Sequence, residues 1–232
     1  NRMSLWVMLA VLGAAFLHAL WNSLLKVGTS RMGAMVILSI GEIPIGLAVV
    51  MARPALDWSV APWVIAAGCA HFFYKLFLTY AYERGDLSRV YPIARGSAPL
   101  MVGLVSPFFL PDVITPVEFA GIAVLGLGIL LMAQGVFANG ENRRLIPYAL
   151  GSACATATYT LIDGQGARVS GDAVAYIAWV FVADGVFFAG GMLAWKGLAV
   201  LPRQRKAWGV GMIAAAASFG AYAVSVWAMT IA

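Results

Sequence analysis

Long apolar runs that carry almost no charge constrain this chain more than any other feature of its sequence. There are eight of them, over residues 4–25, 32–51, 61–82, 90–110, 117–134, 145–162, 173–195 and 207–231. A helix needs about 20 apolar residues to cross a hydrocarbon core about 30 Å thick, so each run is a candidate membrane span. The runs are continuous, whereas the strands of a membrane barrel alternate apolar and polar residues. The sequence therefore predicts an all-α, polytopic bundle of transmembrane helices.

The composition points to the lipid bilayer as the solvent for most side chains. Hydrophobic residues make up 62% of the chain and charged residues 11%, and the mean hydropathy is +0.88. Soluble domains contain about 25% charged residues. The first run, 4–25, is longer than the apolar core of a signal peptide, which spans about 7–15 residues. We therefore expect a retained first helix and a multi-pass protein of the plasma (inner) membrane.

The net charge of +5 reflects basic residues in the short gaps between runs, where they set membrane orientation. No basic stripe alternates with exposed aromatic residues, so no nucleic-acid partner is predicted. The gaps after runs 1, 3, 5 and 7 hold Lys26, Arg31, Arg84, Arg89, Arg143, Arg144, Lys196, Arg203, Arg205 and Lys206. The other side holds Arg2, Arg53 and Arg168. Charge counting places the N-terminus outside.

Similar residues recur when the later runs are aligned on the earlier ones. Run 6 aligns with run 1 and run 8 with run 3, which pairs Gly13 with Gly151, Ala19 with Ala157, Trp21 with Tyr159, Asn22 with Thr160 and Tyr74 with Tyr222. The offset is five spans, an odd number, so the second copy must cross the membrane in the opposite direction. Many transporters are built from such inverted repeats.

Two inverted five-helix repeats are therefore predicted, with the second incomplete. The first repeat covers residues 1–135 and helices 1–5, and the second covers 145–232 and helices 6–8. Two further spans, about 50 residues by the length that a span requires, would complete the second repeat. We expect a C-terminally truncated chain with 8 of about 10 helices present.

Two carboxylates lie in the middle of runs that would be repeat partners. Glu42 is in run 2 and Asp184 is in run 7. A charged side chain at a helix centre costs about 2.5–3.5 kcal/mol on insertion scales, so such residues are usually functional. These two are candidates for proton coupling or for binding a cationic or zwitterionic substrate. The alternative is that each is buried neutral or paired with a basic residue.

Two basic side chains are also set inside apolar runs. Lys75 lies in run 3 and Arg95 in run 4, each about 8–10 Å from the same membrane face at 1.5 Å per residue. Arg95 is flanked by Pro92 and Pro99, and kinked or broken helices are where transporter sites expose backbone polar groups. Both residues are candidates for substrate binding. Interface anchoring by snorkelling is the alternative for each.

Polar and aromatic residues at helical spacing extend this candidate site. His71, Tyr74 and Lys75 share one stripe of run 3, together with Leu78 and Tyr82. Inversion would place Tyr159, Thr160 and Asp163 in the other leaflet. Aromatic packing and structurally satisfied imidazoles at His18 and His71 are the alternatives. The predicted substrate-binding residues are His18, Trp21, Asn22, Tyr74, Lys75, Arg95, Tyr159 and Tyr222.

Other features bear on assembly and chemistry. Gly121, Gly128 and Gly135 recur on one face of run 5, a pattern that lets another helix approach closely and could support a homodimer. Cys69 and Cys154 lie inside apolar runs, which indicates packing rather than a disulfide. Zinc, nucleophile-elbow, Walker and dinucleotide motifs are absent from the sequence. No enzymatic activity, metal, cofactor or ATP-driven transport is predicted.

Three passages resemble the drug/metabolite transporter superfamily, specifically its EamA-type permeases. They are His18-Ala19-Leu20-Trp21-Asn22 with Lys26, the hairpin from Tyr80 through Tyr91-Pro92-Ile93-Ala94-Arg95-Gly96-Ser97-Ala98-Pro99, and Tyr159-Thr160-Leu161-Ile162-Asp163-Gly164. The resemblance implies ten helices in two inverted halves, with helices 1, 3, 4, 6, 8 and 9 around a central cavity. It also implies transport of amino acids, metabolites or drugs. Members of the family more often have cytoplasmic termini, so orientation stays open.

The leading functional hypothesis is a secondary transporter or facilitated exporter of small organic molecules that works by alternating access. One alternative is a membrane-embedded enzyme acting on a lipid-linked substrate, with His71, Lys75, Glu42 and Asp184 as its candidate groups. Another is a non-transporting assembly subunit that uses the glycine face of run 5.

Overall fold

A computed structural model describes residues 5–25, 30–109, 115–138 and 142–231. Its described residues form eight α-helices and no strand. The helices are α1 (Leu5–Leu24), α2 (Arg31–Met51), α3 (Ala61–Tyr82), α4 (Leu87–Phe109), α5 (Pro116–Ala138), α6 (Leu145–Ser170), α7 (Ala173–Lys196) and α8 (Arg205–Ile231). Each helix covers one of the apolar runs, so the all-α prediction is confirmed over this part of the chain. The largest difference is at α6, which continues from the predicted end at residue 162 to Ser170.

Six of the helices are long and apolar enough to cross a membrane: α1, α2, α3, α6, α7 and α8. Helix α4 falls outside this group because Arg89 and Arg95 lower its hydropathy. Helix α5 continues to Ala138, and the part of it assessed as an apolar stretch is Pro116–Ile129. Among the described residues, six of the eight predicted spans are thus long and apolar enough to cross a membrane, and the chain is an integral membrane protein.

The chain divides into two compact units whose boundaries fall inside α3 and α6. The first unit holds the residues up to Phe72 and those from Ile162 onward. The second unit is Phe73–Leu161. These units do not coincide with the predicted repeats at 1–135 and 145–232, which follow chain order and remain a separate prediction.

Helices α2 and α7 make the most extensive contact of the first unit, and glycines allow it. A Cβ atom at Gly46 would lie 2.7 Å from the Ala178 carbonyl oxygen. One at Gly185 would lie 2.6 Å from the Ser39 carbonyl oxygen. Because Gly46 meets the early part of α7 while Ser39 meets its later part, the two helices are antiparallel.

The other face of α2 packs on α8, again through glycine. A Cβ atom at Gly41 would lie 2.8 Å from the Cβ of Ala215 and from the sulfur of Met212. Helix α1 packs along α8 as well. A buried apolar cluster joins the remaining elements of this unit, and it consists of Val60, Ala67, Ala167, Tyr176, Ile177, Val180, Phe181 and Val226.

The second unit is built on the contact between α4 and α5. A Cβ atom at Gly96 would lie 2.6 Å from Ile129, and one at Gly103 would lie 2.7 Å from Ile122. Helix α4 continues through Pro92 and Pro99 without interruption, so the break suggested by the prolines is not found. A proline removes one backbone hydrogen bond, and packing against a neighbouring helix can compensate for that loss.

The glycine face of α5 makes no contact within the described chain. A Cβ atom added at Gly121 or at Gly128 would have no heavy atom of the described residues within 4 Å. Gly135 also lies in α5, but its packing is not among the features that the structure describes. Helix α5 therefore packs on α4 through a different face, and the homodimer stays a prediction.

Side-chain caps set several helix starts. Ser30 accepts a hydrogen bond from the Gly33 N–H at the start of α2, at 3.1 Å. Asp172 accepts from the Val174 and Ala175 N–H groups at the start of α7, each at 3.0 Å. Hydrogen bonds from the Ser59 hydroxyl and N–H lower the pKa of the Asp57 carboxyl before α3.

We expect Asp172→Ala to destabilise the protein by about 1 kcal/mol, because two N–H groups at the start of α7 lose their acceptor. The Asp172 carboxylate also makes an ion pair with Arg53 at 3.4 Å, which is partly exposed and contributes little. Arg53→Ala is the matched control, since it removes the ion pair and keeps the cap. Thermal unfolding in detergent would measure both, and equal losses would contradict the capping role.

Candidate functional site

A half-buried arginine and two buried tyrosines form a cluster in the second unit. We call Tyr74, Arg95 and Tyr159 the arginine–tyrosine cluster. Arg95 Nη1 donates a hydrogen bond to the Tyr159 hydroxyl at 3.1 Å, and Nη2 donates to the Tyr74 hydroxyl. The Arg95 guanidinium also lies over the Tyr74 ring, 4.6 Å from its centroid. The two phenol rings meet edge to face, with centroids 5.4 Å apart.

Local packing explains how three helices bring these side chains together. Gly96 faces Ile129 on α5, so the neighbouring Arg95 is turned toward α3 and α6. A Cβ atom at Gly151 on α6 would lie 3.1 Å from the Phe77 ring on α3, which brings those two helices close. Tyr74 and Tyr159 are each only 4% exposed. The cluster is thus built on rigid helices rather than loops.

Chemically, the cluster joins one permanent positive charge to two phenols. A guanidinium stays protonated in proteins and offers five N–H donors in a planar fork. Its hydrogen bonds to two phenol oxygens fix the orientation of that fork. Such an arrangement suits recognition of planar, negatively charged groups.

The structure brings Tyr74, Arg95 and Tyr159 into contact, and this arrangement differs from the predicted one. The sequence placed Tyr159 and Tyr74 in separate layers with a site between them. Instead their rings touch. The prediction failed because run 6 was ended at residue 162, which put Tyr159 near a helix end. In α6, which extends to Ser170, Tyr159 is close to the middle.

Lys75 follows Tyr74 on α3 and is 3% exposed. A snorkelling lysine would extend its ammonium group to the surface of the chain, so this burial does not support the interface-anchoring alternative. The backbone carbonyl of Lys75 accepts a hydrogen bond from the Thr79 hydroxyl at 2.7 Å.

Glu42 and Asp184 both lie at the contact between α2 and α7. Each is the twelfth residue of its helix, and they are 0% and 1% exposed. Gly185, next to Asp184, meets Ser39, which lies one helical turn before Glu42, and Ile43, which directly follows Glu42. Both carboxylates are therefore at one level of the α2–α7 contact, as their equivalent positions in the predicted repeats imply.

A second buried polar cluster lies in the first unit around Asp163. We call His71, Asp163, Tyr176 and Tyr222 the Asp163 cluster. Asp163 Oδ2 is 2.9 Å from His71 Nε2 and accepts a hydrogen bond from the Tyr222 hydroxyl at 2.5 Å. Its Oδ1 accepts from the Tyr176 hydroxyl at 3.0 Å. Asp163 is 0% exposed. Its side-chain contacts connect α6 with α3, α7 and α8.

Asp163 was expected in a polar group with Tyr159 and Thr160 but was not among the predicted substrate-binding residues, and Tyr176 was not singled out. Asp163 followed the predicted end of run 6, where Gly164, Gln165 and Gly166 interrupt the apolar pattern. Gly166 in fact lies inside α6, against the Tyr176 ring. A Cβ atom there would clash with that ring. The glycine was therefore a packing signal rather than a turn signal.

The expectation of a satisfied imidazole is confirmed for His71, since Asp163 is its partner. Its ring also meets the Tyr222 ring edge to face, with centroids 5.3 Å apart. Tyr222, predicted to bind substrate, uses its hydroxyl on Asp163. The candidate catalytic group of the enzyme alternative included His71 but not its hydrogen-bond partner Asp163.

The predicted polar group on α1 is held together by short-range contacts. Trp21 Nε1 donates to His18 Nδ1 at 3.2 Å, and Asn22 Nδ2 donates to the His18 carbonyl at 2.8 Å. Trp21 and Asn22 are 2% and 1% exposed, so their side chains are buried in the first unit. Lys26, which belongs to the same sequence passage, lies outside the described residues.

Within the described residues, no group of three or more His, Cys, Asp or Glu side chains is placed to hold a metal ion. Cys69 and Cys154 are free thiols.

Known proteins were compared with this chain in three ways. Protein-family models, curated proteins and solved structures all give no match. The resemblance to EamA-type permeases therefore rests on the three sequence passages that begin at His18, Tyr80 and Tyr159.

Proposed function

We propose that this chain is a secondary transporter or facilitated exporter of small organic molecules, of the EamA type, that works by alternating access. The observation that carries the proposal is the arginine–tyrosine cluster. A charged side chain among membrane helices costs about 2.5–3.5 kcal/mol on insertion scales, and such residues usually mark substrate or ion pathways. Arg95 is held by two tyrosines from neighbouring helices, which is the construction of a binding site on a rigid scaffold.

The contact between α2 and α7 supports an inverted-repeat architecture for this transporter. The two helices are antiparallel, both begin at a side-chain cap, and each carries a buried carboxylate as its twelfth residue. Repeat partners in an inverted pair run in opposite directions when the offset is an odd number of spans. The proposed repeats comprise helices 1–5 and helices 6–8 of this chain.

The proposal is tested by uptake into proteoliposomes that contain the full-length protein. Amino acids, organic acids and cationic drugs would be screened as radiolabelled substrates, with and without a pH gradient. We expect saturable uptake of at least one compound that empty liposomes do not show. Turnover of a lipid headgroup without uptake of any compound would instead favour the membrane-embedded enzyme.

Proton coupling by Glu42 and Asp184 is a separate prediction within this function. In Glu42→Gln and Asp184→Asn the side-chain volume is kept but the proton-binding group is lost. If these carboxylates carry the coupled proton, each variant should lose the stimulation of uptake by a pH gradient while counterflow exchange continues. Glu118→Gln, on the exposed first turn of α5, is the matched control. Retained stimulation in both variants would assign the two carboxylates a structural role.

A further inference from the structure

A groove opens between α1, α2 and α8 in the first unit, away from the two polar clusters. Its lining combines apolar residues of these three helices with two polar side chains, Gln204 and Lys206. We infer that this groove binds an anionic phospholipid, with the phosphate group at Lys206 and an acyl chain along the apolar lining. Lipid binding at this site would occur whether or not the protein is a transporter.

The groove lies at the ends of the helices that line it. Helix α1 ends at Leu24, α2 begins at Arg31 and α8 begins at Arg205. Leu24, Leu25 and Lys206, which are at these ends, line the groove. The ends of helices that cross the hydrocarbon core lie at the level of the lipid headgroups. A phospholipid beside the protein therefore has its own phosphate at the level of Lys206.

The α8 side of the groove follows one stripe of that helix. Four apolar residues three and four positions apart form the stripe: Ala207, Val210, Gly211 and Ala214. From Lys206 to Ala214 the helix rises about 12 Å, at 1.5 Å per residue. Leu24, Leu25 and Ala34 line the groove from α1 and α2, and its volume is about 400 Å³, part of which is open to the surroundings. A hydrocarbon chain along the stripe would contact apolar side chains only.

The headgroup has to supply the selectivity of this site. Lipid tails are already in an apolar environment, so an acyl chain gains little from the hydrophobic effect when it moves from the bilayer into a groove. The groove fixes the position of the lipid, and the charge at its mouth selects the headgroup.

That charge is positive. Arg203, Arg205 and Lys206 are consecutive or nearly so, and all three are exposed. No Asp or Glu occurs in residues 1–41 or 185–232, the two stretches that contain every residue lining the groove. Basic pockets between membrane helices bind anionic headgroups, and each Lys or Arg near an anionic surface strengthens the attraction. The mouth therefore favours phosphatidylglycerol over zwitterionic phosphatidylcholine.

The backbone that carries these basic residues is held in place. Trp208 Nε1 donates a hydrogen bond to the Pro202 carbonyl at 3.0 Å. A Cβ atom at Gly33 would lie 2.7 Å from the Val200 carbonyl oxygen, so the segment before α8 is packed on the first turn of α2. Tryptophan is enriched at the level of the headgroups, where its ring is partly in lipid and its N–H finds an acceptor. A fixed mouth lowers the entropy cost of binding a headgroup.

The test measures lipid binding to the purified full-length protein in neutral detergent by native mass spectrometry. Phosphatidylglycerol and phosphatidylcholine with identical acyl chains are titrated separately, and the adduct signals give a Kd for each. We expect phosphatidylglycerol to bind at least about fivefold more tightly, the effect of one basic side chain near an anionic group. Inorganic phosphate in large excess should not displace it, because phosphate has no chain to place in the groove.

Variants at Lys206 assign the headgroup. Lys206→Gln should weaken phosphatidylglycerol binding about fivefold and leave phosphatidylcholine unchanged, whereas Lys206→Arg keeps the charge and should bind within about twofold of the wild type. Lys196→Gln is the matched control, since it removes one positive charge at the end of α7, outside the groove lining. It should leave the preference for phosphatidylglycerol in place.

Variants of the apolar stripe assign the acyl chain. Val210→Phe fills the groove and should lose the tight phosphatidylglycerol adduct, and Ala207→Leu is a smaller filling with the same expected effect. Ile213→Phe is the matched control, because Ile213 is on α8 but 60% exposed and outside the groove lining. The melting temperature without added lipid, from tryptophan fluorescence, shows whether each variant is folded.

Four results would overturn the inference. Equal affinity for the two lipids would remove the headgroup selectivity, and unchanged phosphatidylglycerol binding in Lys206→Gln would place the headgroup elsewhere. Retention of the tight adduct in a folded groove-filling variant would exclude the acyl chain from the groove. Displacement of phosphatidylglycerol by inorganic phosphate would identify a site for a soluble anion instead of a lipid.

Discussion

Asp163→Ala is expected to destabilise the protein by about 3–5 kcal/mol, the range seen when one partner of a buried polar network is removed. The Asp163 carboxylate accepts hydrogen bonds from the Tyr176 and Tyr222 hydroxyls and contacts His71 Nε2. Alanine would leave these three polar groups buried without their acceptor. They come from α3, α7 and α8, so the loss would weaken three helix contacts at once.

Tyr222→Phe is the matched control for this prediction. It keeps the aromatic contacts of Tyr222 with His71 and Phe181 and removes one hydroxyl, so the expected loss is about 1 kcal/mol. Thermal unfolding in detergent, followed by tryptophan fluorescence, would compare the two variants with the wild type. An Asp163→Ala loss no larger than that of Tyr222→Phe would mean that the carboxylate does not organise the cluster.

The helices themselves could be predicted from sequence because a membrane span depends on one simple quantity, the length of an apolar run. That is why the bounds of α3, Ala61–Tyr82, coincide with run 3. The predicted end of run 6, at residue 162, was wrong because the apolar pattern stops there while helix α6 continues to Ser170. Its last turns carry Asp163 and Gln165, and the polarity of Asp163 is compensated by its contacts with His71, Tyr176 and Tyr222.

For the candidate site, single residues could be predicted from the sequence but their contacts could not. Arg95 was identifiable because it is an arginine between two prolines in an apolar run. A charged residue in such a run costs free energy, and residues that are kept there despite this cost usually have a function. Its tyrosine partners come from α3 and α6, 21 and 64 residues away in sequence. Their pairing with Arg95 depends on how helices pack, which residue spacing along one helix does not encode.

Glycine is the residue whose role depends most on that packing. The regular spacing of Gly121 and Gly128 suggested a helix contact, yet no described atom faces them. Gly46 and Gly185 have no such regular spacing, and they make the closest approach between α2 and α7. A helix contact therefore depends on which glycines face a neighbouring backbone, and only the folded arrangement reveals that.

Gly185→Ala is accordingly expected to destabilise the protein by about 1–3 kcal/mol, the usual cost of overpacking, although alanine is the better helix former. A Cβ atom there would lie 2.5 Å from Ile43 Cγ1 and 2.6 Å from the Ser39 carbonyl oxygen. The Ile43 side chain can move, but the backbone oxygen can yield only if α2 and α7 separate. Gly185→Val should cost more, because two further methyl groups enter the same contact.

Gly190→Ala provides a control on the same helix, five residues further along. Its Cβ would have no heavy atom within 4 Å among the described residues, so the substitution should be neutral or stabilise α7 by about 0.5–1 kcal/mol. The unfolding temperature in detergent should therefore fall for Gly185→Ala and stay the same or rise for Gly190→Ala. Equal shifts would mean that α2 and α7 are not in close contact at Gly185. Separation of α2 and α7 in Gly185→Ala would also increase the distance between Asp184 and Glu42, so this variant should reduce any proton-coupled uptake that Gly190→Ala preserves.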